Sequence, residues 1–200
     1  MEITTEMVKN LRQATSAGVL DCRKALEVCE GDFDKAVAHL REKGLAAVAK
    51  RGDRHTPEGL VEAYVHPGSR VGVMLELNCE TDFVARTDDF GTLAHDLALH
   101  IAFAAPRYLT REDVPEEVVE RERESYRTQA LEEGKPERIV DRIVEGRLEK
   151  FYQQTCLMEQ PFVKDEDRSV ESLINDAIAK LGENVVLRRF VRYEVGEELE

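Results

Sequence analysis

Few residues in this sequence have the types and the spacing that chemistry on a substrate needs. Four cysteines occur, none of them in a C-x-x-C pair: Cys22, Cys29, Cys79 and Cys156. Such usage is typical of reduced thiols in a cytosolic protein rather than of a disulfide framework or a zinc site. His95 and His100 are five positions apart, so they do not share a helical face on which to bind a metal.

Carboxylates are abundant, but no pair of them lies in an apolar stretch that would raise a pKa for acid–base catalysis. The sequence has no glycine-rich phosphate loop, no G-x-S-x-G elbow and no H-E-x-x-H motif. We therefore expect no catalytic residue, no metal site and no cofactor, and a hydrolase is the weakest hypothesis. The remaining chemistry is that of a binding protein.

A phenylalanine in a polar turn is the first candidate for binding. Apolar residues recur at every second position from 71 to 77, which predicts a strand with one buried face. The alternation stops after Asn78, and Phe83 stands where a loop or a first helical turn is normally polar. Phe83 either packs into the core or points at a partner, and Thr81 or Asp82 could merely cap a short helical turn.

A second candidate lies in an apolar turn near the N-terminus. Residues 1–45 contain three stretches with helical spacing of apolar residues, separated by glycine turns, which predicts a three-helix module. Val19 and Leu20 follow Gly18 in the first of these turns, and Asp21 is the expected N-cap of the second helix. They either close the top of the module's core or form an exposed docking patch, and the residues alone leave the two readings about equal.

Composition restricts the class of partner. The formal net charge of -13 opposes binding to the phosphates of nucleic acids, so a protein partner is expected. No apolar run approaches the roughly 18 residues of a membrane span, and the first residues lack the pattern of a signal peptide. We expect a cytoplasmic protein that contacts neither nucleic acid nor membrane.

The elements around these candidates predict an α+β core. Residues 46–58 are locally basic and contain proline and glycine, so we assign them to a linker. Strands are expected at 59–66, with Val61, Ala63 and Val65 on one face, at 71–78, and again after Asn184. Helical patterns separate them, starting near residues 88, 110, 136 and 169, with a charged loop at 164–168. The prediction is a three-stranded antiparallel sheet backed by helices in residues 59–196, with an acidic tail at 197–200.

Three ordered motifs resemble those of a known family and together span nearly the whole chain. Residues 76–86 read ELNCETDFVAR, residues 11–18 and 20–26 read LRQATSAG and LDCRKAL, and residues 180–184 and 188–190 read KLGEN and RRF. The chain resembles the bacterial or organellar elongation factor Ts family, the nucleotide exchange factors of elongation factor Tu. The Gly18 turn and residues 31–37 also resemble a ubiquitin-associated-like domain.

The resemblance implies a guanine nucleotide exchange factor. Arg12, Val19 and Leu20 match the positions that dock on the nucleotide-binding domain of elongation factor Tu. The segment of Thr81, Asp82, Phe83 and Val84 matches the one that intrudes near the Mg²⁺ site of that GTPase. By resemblance, the chain binds the GDP form, promotes GDP release and leaves when GTP binds.

Two departures from the family pattern affect what the resemblance implies. Val19 and Leu20 replace the two methionines that are common in the family, which keeps the patch apolar but makes it stiffer. One core half is present where longer members have two, so the chain resembles the short type, for which the resemblance implies a homodimer. The alternative hypothesis is a ubiquitin-associated-like adaptor whose core serves oligomerisation and whose protein partner is a different one.

Overall fold

The computed structural model describes residues 3–15 and 17–198. Parts of the predicted N-terminal module, its first turn and the acidic tail lie outside the described residues: Met1, Glu2, Ser16, Leu199 and Glu200.

Three helices open the chain: α1 (Thr5–Thr15), α2 (Val19–Val28) and α3 (Phe33–Ala49). Their apolar stripes meet in a small core of buried residues: Val8, Leu11, Cys22, Ala25, Leu26, Ala36 and Leu40. Asp32 caps α3 by accepting a hydrogen bond from the Lys35 backbone N–H at 3.1 Å, which satisfies one of the free donors of the first turn. The predicted N-terminal helices are confirmed.

A three-stranded sheet has the strand order β1-β2-β5 and consists of β1 (Glu58–Val65), β2 (Val71–Cys79) and β5 (Val185–Glu194). It is antiparallel and backed by helices, so the predicted α+β class is confirmed. The β1–β2 hairpin is closed by a hydrogen bond from the His66 N–H to the Val71 carbonyl, at 2.9 Å.

The face of β1 that carries Val61, Ala63 and Val65 is the exposed one. Val61 and Val65 are 61% and 63% exposed, whereas the half-buried side chains are those of Leu60, Glu62 and Tyr64. Apolar residues occupy both parities of this strand, so period 2 alone could not show which face the helices cover. The contact of Glu62 Oε1 with His95 Nδ1, at 3.0 Å, marks the half-buried face as the one directed at a helix.

Further helices are α4 (Asp82–Ala85), α5 (Asp88–Ala104), α6 (Glu116–Glu132), α7 (Glu137–Thr155) and α8 (Val170–Leu181). Short 3₁₀ helices lie at Arg111–Asp113 and Leu157–Glu159. Helices α6 and α7 pack on each other around Ala130, Val140, Val144 and Leu148. Ion pairs of Arg123 with Glu145 and of Arg127 with Asp141 join their charged faces.

The predicted charged loop at 164–168 is wrong in part. Residues Asp165–Ser169 form β4, which pairs antiparallel with β3 (Pro161–Phe162). The side chains of Asp165, Glu166 and Asp167 are exposed, so this strand lacks the alternation by which strands are recognised. Backbone pairing alone defines it.

The chain divides into two compact units. Unit 1 comprises Met1–Val61, Glu76–Leu93 and Ile174–Arg188, and unit 2 comprises Glu62–Leu75, Ala94–Leu173 and Arg189–Glu200. Both candidate binding segments belong to unit 1. The predicted domain boundaries after residues 45, 58 and 196 stay a prediction, and α3 continues past the first of them to Ala49.

Candidate functional site

The segment after β2 folds into a single helical turn, α4. Thr81 is its N-cap, with extended backbone angles (φ -130°, ψ 154°), and its Oγ1 accepts a hydrogen bond from the Val84 N–H at 3.4 Å. Asp82 in the first position forms an ion pair with Arg86 one turn later, Oδ2 to Nη2 at 3.1 Å. A negative side chain at the start and a capping hydroxyl are what a short helix needs.

Phe83 is held in solvent on this turn. Its side chain is 82% exposed, whereas Val84 is half-buried. The interpretation in which Phe83 packs into the core is therefore wrong. An isolated exposed phenylalanine is not by itself a site, but this one sits beside an acidic residue on a turn whose backbone is fixed.

Beneath the turn, Cys79 ends β2 as a buried thiol. Its Sγ donates a hydrogen bond to the Thr81 carbonyl at 3.1 Å, and burial raises its pKa, with the nearby Glu183 carboxylate adding to the rise. A thiol kept protonated in this way is a poor nucleophile. Cys79 is therefore a buried thiol at the end of a strand and not a reactive one.

Glu183 and Asn184, in the loop between α8 and β5, fix the segment before α4. The Glu183 carboxylate accepts hydrogen bonds from the Thr81 N–H at 3.0 Å and from the Thr81 hydroxyl at 2.6 Å. In return, the Asn184 N–H donates to Glu80 Oε1 at 2.7 Å. We call these four residues, Glu80, Thr81, Glu183 and Asn184, the loop clasp.

The charge of Glu80 is compensated within unit 1. The bond from the Asn184 N–H, together with the smaller effect of Arg54, holds the pKa of Glu80 below its ordinary value. Arg54 Nη1 lies 3.2 Å from Glu80 Oε1. Residues 180–184 form a motif in the sequence, but the role of Glu183 and Asn184 does not follow from it, because their partners lie more than a hundred positions away.

The N-terminal candidates are exposed as well. Val19 and Leu20 are 51% and 73% exposed, and Arg12 in the last turn of α1 is also exposed. The interpretation in which Val19 and Leu20 close the module's core is therefore wrong. Arg12 lines a groove of about 420 Å³ together with Lys9, Gln13 and Lys180.

The local structure at this patch differs from the prediction. Val19 begins α2, with Gly18 as its N-cap, so the apolar pair forms the first turn of the helix instead of a loop. Asp21, the predicted cap, lies inside that turn, and its Oδ1 accepts a hydrogen bond from Lys43 Nζ at 2.6 Å. Glycine caps a helix without a side-chain bond, which is why the sequence signal pointed to the aspartate.

Two further exposed apolar residues were not singled out as site candidates. Val28, at the end of α2, is 66% exposed, and Phe33, at the start of α3, is 41% exposed. Phe33 is the first residue of α3, where a side chain can turn outward beyond the packed part of the helix. Leu20 and Val28 are eight positions apart on α2, a spacing that places them on one helical face.

Within residues 3–15 and 17–198, no group of three histidine, cysteine or acidic side chains is arranged to hold a metal ion. Over the same residues, each helix is too short or too polar to cross a lipid bilayer.

The whole chain is similar in sequence to one family. The sequence profile of the family described as "Elongation factor TS" matches residues 2–197. The chain belongs to the elongation factor Ts family. Its similarity to an Elongation factor Ts of Moorella thermoacetica is 60% identity over 190 residues, which are 95% of this chain and 94% of that protein.

Other elongation factor Ts proteins are similar over the same extent. Those of Carboxydothermus hydrogenoformans and Heliobacterium modesticaldum are each 57% identical over 197 residues, which are 98% of this chain and 91% and 92% of the relatives. Because the chain covers nearly all of these relatives, its assignment to the short type of the family is confirmed. As a member of the family, it acts in the elongation stage of protein biosynthesis.

Proposed function

We propose that the chain is a guanine nucleotide exchange factor for elongation factor Tu. It binds the GDP form, disturbs the Mg²⁺ site with residues 81–84, promotes release of GDP and leaves when GTP binds. The observation that carries this proposal is Phe83, which is 82% exposed beside Asp82 on the capped α4 turn of a family member.

The physical basis is charge neutralisation at the nucleotide. In a GTPase, Mg²⁺ and the surrounding backbone balance the charge of the phosphates. A rigid aromatic side chain pressed between the elements that hold Mg²⁺ displaces them, and the bound GDP loses part of its stabilisation. Coupling of this kind is reciprocal, so nucleotide that binds tightly must weaken the exchange factor's own binding by the same factor.

In this scheme the chain makes and breaks no covalent bond, so it is not an enzyme in the chemical sense. Its own residues supply binding and displacement only. We place its action in the cytoplasm, without contact to nucleic acid or membrane, in keeping with a net charge of -13.

Docking belongs to the N-terminal patch of Arg12, Val19 and Leu20. The two apolar side chains are more than half exposed in the free chain, so a partner that covers them gains hydrophobic free energy. Arg12 adds a charged rim contact that favours an acidic partner surface. We assign affinity mainly to this patch and displacement mainly to α4.

The test is the release of fluorescent GDP from purified elongation factor Tu, measured by stopped flow. Phe83→Ala removes an aromatic side chain that is buried in the partner when the Mg²⁺ site is displaced. We therefore expect the maximal release rate to fall by about tenfold or more. Asp82→Ala lowers it as well. Phe103→Ala is the matched control, because Phe103 on α5 is a phenylalanine of similar exposure, 78%, outside residues 81–84.

Release at the wild-type rate by both Phe83→Ala and Asp82→Ala would remove the displacement role. If Phe103→Ala slowed release as much as Phe83→Ala does, the effect would be one of exposed aromatic surface in general.

We also propose a homodimer, formed by the exposed face of the sheet in unit 2. Counting from the closing bond of His66 to Val71 places Ala63 and Val65 opposite Met74 and Gly72. The bond of the Val195 N–H to the Arg70 carbonyl, at 2.9 Å, sets the pairing of β5 with β2. Counting from it places Val191 opposite Met74 and Tyr193 opposite Gly72, so these residues lie on the same face of the sheet.

The exposure of this face supports pairing. Val65, Met74, Val191 and Tyr193 are 63%, 51%, 39% and 68% exposed. An apolar face of this kind on a sheet is typical of a protein interface. A second copy would cover it with the same residues, as two-fold symmetry requires.

A further inference from the structure

Two loops of unit 1 exchange hydrogen bonds in the loop clasp. Each loop offers one carboxylate to the backbone of the other: Glu183 to the Thr81 N–H and Glu80 to the Asn184 N–H. Bonds from a carboxylate to a backbone N–H are charge-assisted and are stronger than neutral ones. The clasp therefore fixes the backbone of both loops and not only their side chains.

The clasp continues into α4 through one hydroxyl group. Thr81 Oγ1 donates its proton to Glu183 Oε1 at 2.6 Å, and the same oxygen accepts the Val84 N–H at 3.4 Å. Since Glu183 takes the hydroxyl proton, a lone pair of the oxygen is left facing Val84. Glu183 thus determines the orientation of the group that caps the turn carrying Asp82 and Phe83.

The far side of the clasp is anchored to backbone. Asn184 is 3% exposed, and its Nδ2 donates to the carbonyls of Gly52 at 3.3 Å and Arg54 at 3.0 Å. The Arg54 side chain in turn pairs with Glu80. The loop that carries Glu183 is therefore held in place independently of α4, as a support must be.

We propose that Glu183 is a positioning residue for nucleotide exchange, because through Thr81 it keeps the α4 turn rigid. On a rigid turn, Phe83 displaces the elements of the partner that hold Mg²⁺, whereas a flexible turn would itself move. This proposal rests on the proposed exchange function. A turn of four residues has little stability of its own, since helix nucleation is costly. Rigidity at α4 must be supplied from outside the turn, and Glu183 supplies it.

The first test compares Glu183→Gln with wild type in the GDP-release assay across a range of exchange-factor concentrations. Glutamine keeps the size of the side chain but removes one of the two acceptors and the charge. We expect the maximal release rate to fall about tenfold, the change that corresponds to losing one charge-assisted hydrogen bond. The concentration for half-maximal release stays within about twofold, because the docking patch is untouched.

The matched control is Glu145→Gln. It makes the same change of charge at an exposed glutamate of α7 that pairs with Arg123. Its release kinetics should equal those of the wild type.

A cycle through Thr81 tests the path of the effect. Thr81→Ser keeps the hydroxyl and should keep most of the rate, whereas Thr81→Val should lose about as much as Glu183→Gln. If the two residues act through one bond, the double variant Thr81→Val with Glu183→Gln loses little more than either single variant. Additive losses, or a serine variant as slow as the valine variant, would overturn the proposal.

The free chain provides an independent readout. In an amide ¹⁵N–¹H spectrum, Glu183→Gln should move the Thr81 and Val84 resonances and leave those of α6 and α7 in place. A variant that loses rate and docking affinity together, with a lower melting temperature, would show a merely structural role and would overturn the proposal.

Failure of this inference is distinguishable from failure of the proposed function. If wild type accelerates GDP release and Phe83→Ala does not, but Glu183→Gln equals wild type, only the positioning role falls. If wild type itself does not accelerate release, the exchange function falls, and the positioning role with it.

Discussion

His100 shows how a single side chain can be assigned a protonation state from its neighbours. It is 1% exposed in unit 2; its Nδ1 accepts the Val163 N–H at 3.2 Å, and its Nε2 lies 3.0 Å from Gln160 Oε1. The first bond requires an unprotonated Nδ1, so the proton resides on Nε2 and the ring is neutral. Burial lowers the pKa of His100, and the bond to Gln160 opposes this only in part.

The lowered pKa predicts a loss of stability in acid. Above a pH of about 6.5, the ordinary pKa of histidine, both the folded and the unfolded chain hold a neutral ring and the stability is complete. As pH falls below that value, the unfolded chain takes up the proton first, so the free energy of unfolding decreases. The decrease due to this group is at most about 1.4 kcal/mol per pH unit, until the folded-state pKa is reached.

Urea unfolding of wild type and His100→Gln at several pH values between 5 and 8 measures this effect. Glutamine is a neutral donor and acceptor, so the variant should be less stable than wild type at pH 7.5, and the difference should shrink towards pH 5.5. A difference that is constant with pH would show that His100 does not stay neutral in the folded chain.

Residue-level prediction from sequence succeeded where the signal was local. Phe83 stands out in the sequence because it interrupts a polar turn, and its side chain is indeed exposed. Glu183 was assigned no role because its contact with Thr81 joins positions 102 apart. No periodicity or spacing in a single sequence encodes a pairing of that separation.

At the scale of elements, the strands and helices were predictable but their faces were less so. Strand β1 is predictable from its apolar and β-branched residues, but the pattern does not show that the face of Val61 and Val65 is the exposed one. In an edge strand with apolar residues on both parities, the position of the covering helix determines which face is buried, and the strand's own sequence does not. Similarly, the start of α2 was placed too late because glycine leaves a weak capping signal.

The β1–β2 pairing depends on Gly59. Its φ is +150°, and a Cβ at this position would lie 2.2 Å from the Leu77 carbonyl oxygen and 2.8 Å from the Asn78 Cα. Both are backbone atoms, so neither can move aside without separating the strands. We expect Gly59→Ala to lower the free energy of unfolding by about 2 kcal/mol or more, through backbone strain and the clash.

Gly146→Ala on α7 is the control, because a Cβ there meets no atom within 4 Å apart from the backbone of its own helix, and position 146 lies outside the proposed dimer face. Urea unfolding at one fixed protein concentration compares the two variants. A Gly59→Ala variant as stable as Gly146→Ala would show that the hairpin does not need a glycine at position 59.

At the scale of the whole molecule, the proposed dimer predicts a defined response to charge on the sheet. Met74→Glu places a carboxylate on β2, the central strand of the apolar face. A second copy would bury this carboxylate against its own carboxylate at position 74. Burying like charges without partners is costly, so we expect the variant to be monomeric where the wild type is dimeric. Size-exclusion chromatography with light scattering at about 10 μM measures this.

Leu131→Glu is the matched control, since Leu131 on α6 is 50% exposed and Met74 is 51% exposed. The control should stay dimeric. A monomeric wild type, or dissociation by Leu131→Glu to the same extent, would contradict the proposed interface.

The loop clasp also limits how this protein can be divided. The signature stretch at residues 76–86 is contiguous and short, and it looks portable. Its support, however, comes from Glu183 and Asn184, which lie more than a hundred positions further along the chain. A peptide, a graft onto another scaffold or a truncated chain that ends before position 183 would contain all of residues 76–86 but would lack the support of α4. Transfer of this surface to another protein therefore requires both segments, residues 76–86 and residues 183–184.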